Sequence, residues 1–322
     1  MPWISTCSRV PAACGVIGLA FALMTGVQRA AAGPVLMPMA PELDLASNVV
    51  VGKITQITPV EENRGPGSHG GRATVEVEET LKGEPAKTIQ FLVLTGADAE
   101  FQEHCQEHIQ EYKVGDRGIW VIGSGWANDG GAIPDAQKEE IKKVLTDLKN
   151  RKWSEPVNGL RAWAAVVQPD YLPNPGIIFA VTNASNVDLW VPHEIENGFV
   201  RATVADEQSN VFGLILRAGK SPIKQMYCHQ LRPGKILYLH PDGFGGFIDL
   251  ARFQHLAPGK YSVVISCKNE RADGESVGAA AGLNAPVVAW QGEVSTPAVD
   301  LEIKPPGQPG NVPPPPTPAT AP

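Results

Sequence analysis

The chain has 322 residues, of which 27 are lysine or arginine and 34 are aspartate or glutamate, so its formal net charge is -7. This length is enough for two domains, and the 29 prolines and 33 glycines suit β-domains with many turns. The charge is negative and no region forms a basic footprint, which argues against nucleic acid as a partner.

The first 32 residues have the pattern of a secretory signal peptide. Arg9 supplies positive charge, residues 10–27 are largely apolar, and the alanines at 30–32 offer small side chains for cleavage before Gly33. The alternative is an uncleaved membrane anchor, but the apolar stretch is short and contains a proline and a glycine. The pattern predicts a secreted, periplasmic or cell-envelope protein with no membrane span after cleavage.

A first β-domain is predicted at residues 44–134, after a proline-rich and extended lead-in at 33–43. Four segments have β-branched residues or alternating apolar and polar side chains, as strands do: 48–57, 73–81, 88–94 and 119–122. Within the first of them, Gly52 indicates a bulge or a tight bend.

Three segments of this domain carry a resemblance to a known family: VVVGKITQI, TVEVEETLKGEP and, after a cysteine, VGDRGIWVI. In this order, over residues 44–124, they resemble the netrin-module or tissue-inhibitor-of-metalloproteinases type of OB-fold barrel. The resemblance implies a barrel that binds oligosaccharides, nucleic acids or proteins. The inhibitors chelate the zinc of their target through a cysteine at the mature N-terminus, whereas this chain has no cysteine between Gly33 and Cys105.

Residues 135–159 are predicted to be a connecting helix and linker. Four apolar residues recur at the spacing of one helical face: Ile141, Val144, Leu145 and Leu148. Asp135 is placed to cap the first turn, and Pro156 and Gly159 stop the helix. The stretch between Lys149 and Gly159 is expected to be weakly packed and open to proteolysis.

A second β-domain is predicted at residues 160–304, because short strands alternate with regular turn signals there. Its segments FAVTNAS, LRPGK, LAPGKYSVVI and WQGEVST resemble Ig-like modules of secreted bacterial proteins. The layout, with KWSEPVNGL at the join, resembles exported planctomycete proteins of unassigned role. The predicted fold is therefore mainly β: an OB-like barrel, a connecting helix and an Ig-like β-sandwich, followed by a disordered proline-rich tail at 305–322.

One segment has the spacing of a zinc site. His104, Glu107 and His108 form the inverted zincin order H-x-x-E-H, in which both histidines share a helical face and the glutamate acts as base. The alternatives are a structural or adventitious metal, or a solvated face in a segment rich in Glu, Gln and His. A zincin needs a large helical scaffold and a third ligand, so the sequence predicts no catalytic residues, no cofactor and no resident metal, with these three as metal candidates.

Three cysteines follow the signal peptide: Cys105, Cys228 and Cys267. Secretion permits disulfides, and Cys228 and Cys267 both lie on predicted strands of the second domain. A Cys228–Cys267 bridge is one interpretation, and two buried thiols are the other.

These observations predict a secreted or envelope-associated binding or structural protein that is not an enzyme. Its expected partner is a protein or glycan of the cell envelope, and no residue pattern identifies the ligand. Two alternatives stay open. One is a metal-dependent hydrolase built on His104, Glu107 and His108, and the other is a protease inhibitor, which the barrel resemblance suggests.

Overall fold

The structure is a computed structural model that describes residues 39–60, 68–97, 112–123, 126–127, 132–167, 175–192, 199–215, 226–239, 256–270, 276–280 and 283–304. These ranges are mainly β, with seventeen strands and two α-helices, which confirms the predicted class. Within them, neither helix has the length and apolar character needed to cross a membrane.

The first β-region is a closed barrel of five strands: β1 (Asn48–Val60), β2 (Ser68–Lys82), β3 (Thr88–Ala97), β4 (Arg117–Gly123) and β5 (Trp126–Ala127). Strand β1 pairs with both β2 and β4, so the order β1-β2-β3-β5-β4 closes on itself. Strands β3 and β5 run parallel, and the other neighbours are antiparallel. The four predicted strands are present, and the topology is compatible with an OB-like barrel.

Trp120 occupies the barrel interior, where it is fully buried. Its indole N–H donates to the carbonyl oxygen of Gly52 at 2.9 Å. The pairing of β1 with β2 changes register between Val51 and Gly52, which confirms the predicted irregularity. A Cβ at Gly52 would lie 2.4 Å from the carbonyl oxygen of Glu76, so the close approach of the two strands requires glycine here.

Two α-helices lie against the outside of this barrel: α1 (Ala40–Leu45) and α2 (Lys138–Lys149). Helix α1 stands where the sequence predicted the end of an extended lead-in. It forms because Pro41 is tolerated in a first turn, while Ala40 and Leu43 bury against the barrel. Before α2, Asp135–Gln137 form a 3-10 turn, and no side chain caps α2 itself.

Twelve more strands follow α2 in the described part of the chain: β6 (Leu160–Val167), β7 (Gly176–Asn183), β8 (Leu189–Pro192), β9 (Val200–Asp206), β10 (Val211–Ile215), β11 (Met226–Leu231), β12 (Ile236–Tyr238), β13 (Gly259–Asn269), β14 (Ser276–Ala280), β15 (Leu283–Pro286), β16 (Gly292–Ser295) and β17 (Val299–Ile303). The first sheet has the order β12-β7-β6. The second sheet has the order β10-β9-β13-β16, and β17 also pairs with β13. The third sheet has the order β15-β14-β11-β8.

The first and second sheets pack face to face, and their inner side chains form one apolar core. The first sheet contributes residues of β6 and β7: Leu160, Ala162, Ala164, Val166, Ile177, Phe179 and Val181. The second sheet contributes residues of β9, β13, β16 and β17: Val200, Ala202, Val204, Val263, Ile265, Cys267, Val294, Val299, Leu301 and Ile303. This arrangement is compatible with the predicted β-sandwich.

The first sheet is buried on its other face as well. Its outward residues form one hydrophobic cluster with the two helices and the barrel wall: Trp163, Ala165, Val167, Ile178, Ala180 and Tyr238 from the sheet, Ala40, Leu43, Ile141, Val144 and Leu148 from the helices, and Val49, Val51, Ile119 and Val121 from the barrel. Barrel, helices, first sheet and second sheet therefore follow one another as layers. The connecting helix packs one apolar face into this cluster, and its opposite face is exposed.

The segment between α2 and β6 is tied to its surroundings by hydrogen bonds. Val157 and Leu160 exchange backbone hydrogen bonds of 2.9 and 3.0 Å around Asn158 and Gly159, which both have positive φ. Asn-Gly is the pair favoured at such turns. Further back, the Ser154 N–H donates to the carbonyl oxygen of Ala162 at 2.9 Å. The linker thus folds back along β6.

Candidate functional site

The predicted zinc motif, His104, Glu107 and His108, lies outside the described residues. Among the residues that are described, no group of three or more His, Cys, Asp or Glu side chains is close enough to hold a metal ion.

The two described cysteines lie in different sheets. Cys267 is on β13 in the core between the first and second sheets, and burial raises the pKa of its thiol well above the usual range. Cys228 is on β11 of the third sheet and packs beside Ala289. Cys267 is a free thiol, so the candidate Cys228–Cys267 bridge is not formed in this structure, because the two side chains point into separate hydrophobic clusters.

Six side chains that are distant in sequence meet where the barrel, the helices and the first sheet come together. They are Asp44, Lys82, Arg151, Trp153, Trp163 and Tyr238, and we call them the junction cluster. Asp44 comes from α1, Lys82 from the end of β2, Arg151 from the residues after α2, and Tyr238 from β12. Every layer except the second sheet thus contributes to it.

An ion pair between Arg151 and Asp44 is the centre of the junction cluster. The two guanidinium NH groups donate to the two carboxylate oxygens at 2.5 and 2.7 Å, and both side chains are only 9% exposed. The Tyr238 hydroxyl donates to Asp44 Oδ2 at 2.7 Å and lies 3.3 Å from Arg151 NH1, which donates to it. A forked pair of this kind fixes direction as well as distance.

Two tryptophans surround the same guanidinium. Its central carbon lies 5.2 Å from the ring centroid of Trp153 and 5.3 Å from that of Trp163. The two rings themselves are 6.3 Å apart between centroids. Arg151 therefore combines ion pairing with cation–π contact, which a lysine could not reproduce in the same geometry.

Lys82 closes the cluster on the barrel side. Its ammonium group donates to the carbonyl oxygen of Leu43 at 2.9 Å and to that of Asp44, the last carbonyls of α1. Lysine commonly binds the orphan carbonyls at the end of a helix. Burial lowers the pKa of Lys82, and the attraction of the Asp44 carboxylate opposes this shift without cancelling it.

The electrostatics of the cluster favour one protonation state. Burial, followed by the negative charge of Asp44, raises the pKa of the Tyr238 phenol far above its usual value. Burial acts to lower the pKa of Arg151, but the hydrogen bonds and charge of Asp44 outweigh it and the pKa is raised. Arginine stays charged and tyrosine stays neutral at physiological pH. The donors and acceptors are turned toward one another, so the arrangement serves structure rather than proton transfer.

A second polar surface lies on the barrel wall away from the helices. It consists of exposed or half-buried residues on β1, β2 and β3, which we call the open barrel face: Thr55, Gln56, Thr58, Arg72, Thr74, Glu76 and Gln90. Gln90 Nε2 donates to Thr74 Oγ1 at 3.2 Å, and Thr55 Oγ1 donates to the Thr74 carbonyl oxygen at 3.2 Å. Hydroxyl and amide groups dominate this face, and they can both donate and accept.

Charged residues lie at the boundary between this face and α2. Glu78 accepts two hydrogen bonds from Arg117, at 2.9 and 2.6 Å, and Glu79 pairs with Lys138 and Lys142 at 3.1 and 2.8 Å. The hydrogen bond from Arg117 lowers the pKa of Glu78, and those from Lys142 and then Lys138 lower the pKa of Glu79. The Glu79 pairs attach the start of α2 to the barrel, whereas the Arg117–Glu78 pair joins β4 to β2.

Comparisons of this chain with models of protein families, with curated proteins and with solved structures found no match. The assignment of function rests on the chain's own residues.

Proposed function

We propose that this chain is a non-enzymatic binding protein of the cell envelope and that its open barrel face binds a neutral glycan. The signal-like pattern of residues 1–32 supports export. The groups that the face presents support this partner class, and the inward pairing of the junction cluster supports a structural role for that cluster.

The observation that carries the proposal is the division of the barrel wall into two unlike halves. The half formed by β4 and the beginning of β1 is apolar and covered by helices, with Val49, Val51, Ile119 and Val121 buried. The half on β2, β3 and the end of β1 is open and carries five hydroxyl or amide side chains beside the charged Arg72 and Glu76. The apolar character of the covered half is explained by its burial in the fold. The uncharged polar groups of the open half can form hydrogen bonds with the hydroxyls of a sugar chain.

The topology gives further support by analogy. Five-stranded barrels of the OB type bind oligosaccharides on the face of their second and third strands, where the open barrel face lies. Fold analogy does not assign function by itself, so the proposal depends on the side chains of Thr74 and Gln90.

Co-sedimentation of the exported chain with insoluble neutral polysaccharides (cellulose, chitin and starch) tests the proposal. The double variant Thr74→Ala, Gln90→Ala removes hydrogen-bonding groups worth about 2 kcal/mol together, so we expect roughly 30-fold weaker binding to whichever polysaccharide the wild type retains. The matched control is Lys260→Ala, Glu302→Ala, an exposed cross-strand pair on β13 and β17 of the second sheet.

Equal loss of binding in the control, or no loss in the face variant, would show that this face is not the site. If none of the three polysaccharides retains the wild type, the glycan assignment is wrong. Binding to an envelope protein that depends on Thr74 and Gln90 would then place a protein on the same face.

A further inference from the structure

The junction cluster joins the barrel, the helices and the first sheet through contacts that depend on orientation as well as distance. Arg151 reaches both oxygens of Asp44, and Tyr238 donates to one of those oxygens. Trp153 and Trp163 lie near the guanidinium at almost equal distances. A small rotation of the first sheet relative to α1 would break the Tyr238–Asp44 hydrogen bond and separate Trp163 from the guanidinium.

The apolar contacts around the cluster are different in kind. Many of them involve small or aliphatic side chains, such as Ala165 and Ala180 of the first sheet and Leu43 of α1, which belong to one cluster. Burial of such groups is favourable but has no preferred direction. In the observed placement the polar groups of Asp44, Arg151 and Tyr238 are paired with one another, which apolar burial alone does not require.

We propose that the junction cluster sets the relative orientation of the barrel and the sandwich, while the surrounding apolar contacts hold the two together. Buried ion pairs often contribute little net stability compared with apolar residues of the same volume, and specifying one arrangement is their best-attested use. This inference is independent of the glycan proposal, because the cluster lies on the covered side of the barrel.

Backbone N–H residual dipolar couplings test the proposal, because they report the orientation of each β-region separately. In the wild type, couplings from residues 48–97 and from residues 160–303 should fit one alignment tensor. The triple variant Asp44→Leu, Arg151→Met, Tyr238→Phe replaces the network with apolar groups. We expect it to fold cooperatively, with two tensors whose magnitudes differ by at least twofold as the orientation becomes distributed.

Arg151→Lys provides a second variant that keeps the charge but loses the fork and the planar contact with both rings. It should also give two different tensors. Its matched control is Arg117→Lys in the exposed pairs with Glu78 and Asp135, which should keep a single tensor.

The outcomes separate the alternatives. One shared tensor in both the triple variant and Arg151→Lys would show that apolar packing alone fixes the orientation, and would overturn the proposal. Failure of the triple variant to fold would contradict the claim that apolar contacts hold the layers together. Divergent tensors in the Arg117→Lys control would show that the effect is not specific to the cluster.

Discussion

Asp44 and Arg151 are 107 positions apart in the chain, yet they form a forked ion pair between the barrel and the sandwich. Both side chains are nine-tenths buried, so neither can recover its solvation if the other is lost. The pair therefore acts as one unit, and removing half of it has different consequences from replacing all of it.

Truncation of Arg151 to alanine should be strongly destabilising. It leaves the Asp44 carboxylate buried without its cation, which typically costs about 3–5 kcal/mol in the free energy of unfolding. Denaturant unfolding followed by tryptophan fluorescence measures this loss. Arg117→Ala, which breaks exposed pairs with Glu78 and Asp135, should cost about 1 kcal/mol or less. Similar losses in the two variants would show that the burial of Arg151 has no energetic consequence.

Tyr238 should make stability fall at alkaline pH. Its pKa is raised in the folded protein, so above about pH 10 the unfolded chain loses the phenol proton while the folded chain keeps it. The folded state then binds more protons, and the free energy of unfolding decreases as pH rises, by up to about 1.4 kcal/mol per pH unit. Denaturant unfolding between pH 9 and 11 should show a shallower decline for Tyr238→Phe than for the wild type. Parallel curves would mean that the phenol titrates normally in the fold.

Gly52→Ala should distort the barrel. The added Cβ would meet the backbone of Glu76 at 2.4 Å, and backbone atoms of a closed barrel have little freedom to move away. We expect a loss of at least about 2 kcal/mol in the free energy of unfolding, as for other overpacked sites. Gly259→Ala serves as the control, since its Cβ would lie 3.7 Å from the Tyr261 hydroxyl in ordinary contact. An unchanged unfolding midpoint for Gly52→Ala would show that β1 and β2 can separate at this point.

The segment from Lys149 to Gly159 should resist trypsin, although its composition suggests an exposed linker. Arg151 is held in the junction cluster, and the backbone of Ser154 and Val157 is hydrogen-bonded to β6. Gly159→Ala should make the segment cleavable, because it disturbs the turn that holds the segment to β6. Gly159 has a φ of 83°, and its added Cβ would lie 2.8 Å from Ser185 Cβ. Asn150→Ala, at an exposed position, should leave the digestion pattern unchanged. Rapid cleavage of the wild type in this segment would contradict the packed linker.

Zinc analysis addresses the motif that lies outside the described residues. We expect the purified chain to hold no stoichiometric zinc, because His104, Glu107 and His108 fall in the sequence between β3 and β4 of a small barrel, and the described residues supply no large helical scaffold like that of a zincin. Inductively coupled plasma mass spectrometry gives the metal content. One zinc per chain that is lost in His108→Ala but kept in His69→Ala would support the hydrolase alternative instead.

Much of the fold is predictable because its strands have local signals. The alternation in β2 and the β-branched residues of β1 follow from one buried face, and the bulge at Gly52 follows from a glycine inside a strand pattern. Strand β6 has no alternating pattern of this kind. Its side chains are buried on both faces, so Leu160–Val167 shows no alternation and carries no polar residue except Arg161.

The junction cluster could not be predicted for a different reason. Asp44, Arg151 and Tyr238 have ordinary neighbours in the sequence, and only the stacking of three layers brings them together. The linker differs from its prediction locally. Gly159 is predicted to stop a helix, whereas with Asn158 it forms the central pair of a tight turn, which the dipeptide Asn-Gly alone indicates.

The double burial of the first sheet has a consequence for biosynthesis. The barrel and α2 emerge from the ribosome before β6 and β7, so the apolar wall formed by Val49, Val51 and Ile119 has no cover from the sandwich while the rest of the chain is made. A chain released after residue 159 would leave that wall and the two helices packed on it without the first sheet, and a chain starting at residue 160 would expose Trp163 and Ile178 in turn. Each half buries apolar surface of the other. We therefore expect neither half to stay monodisperse when it is expressed alone.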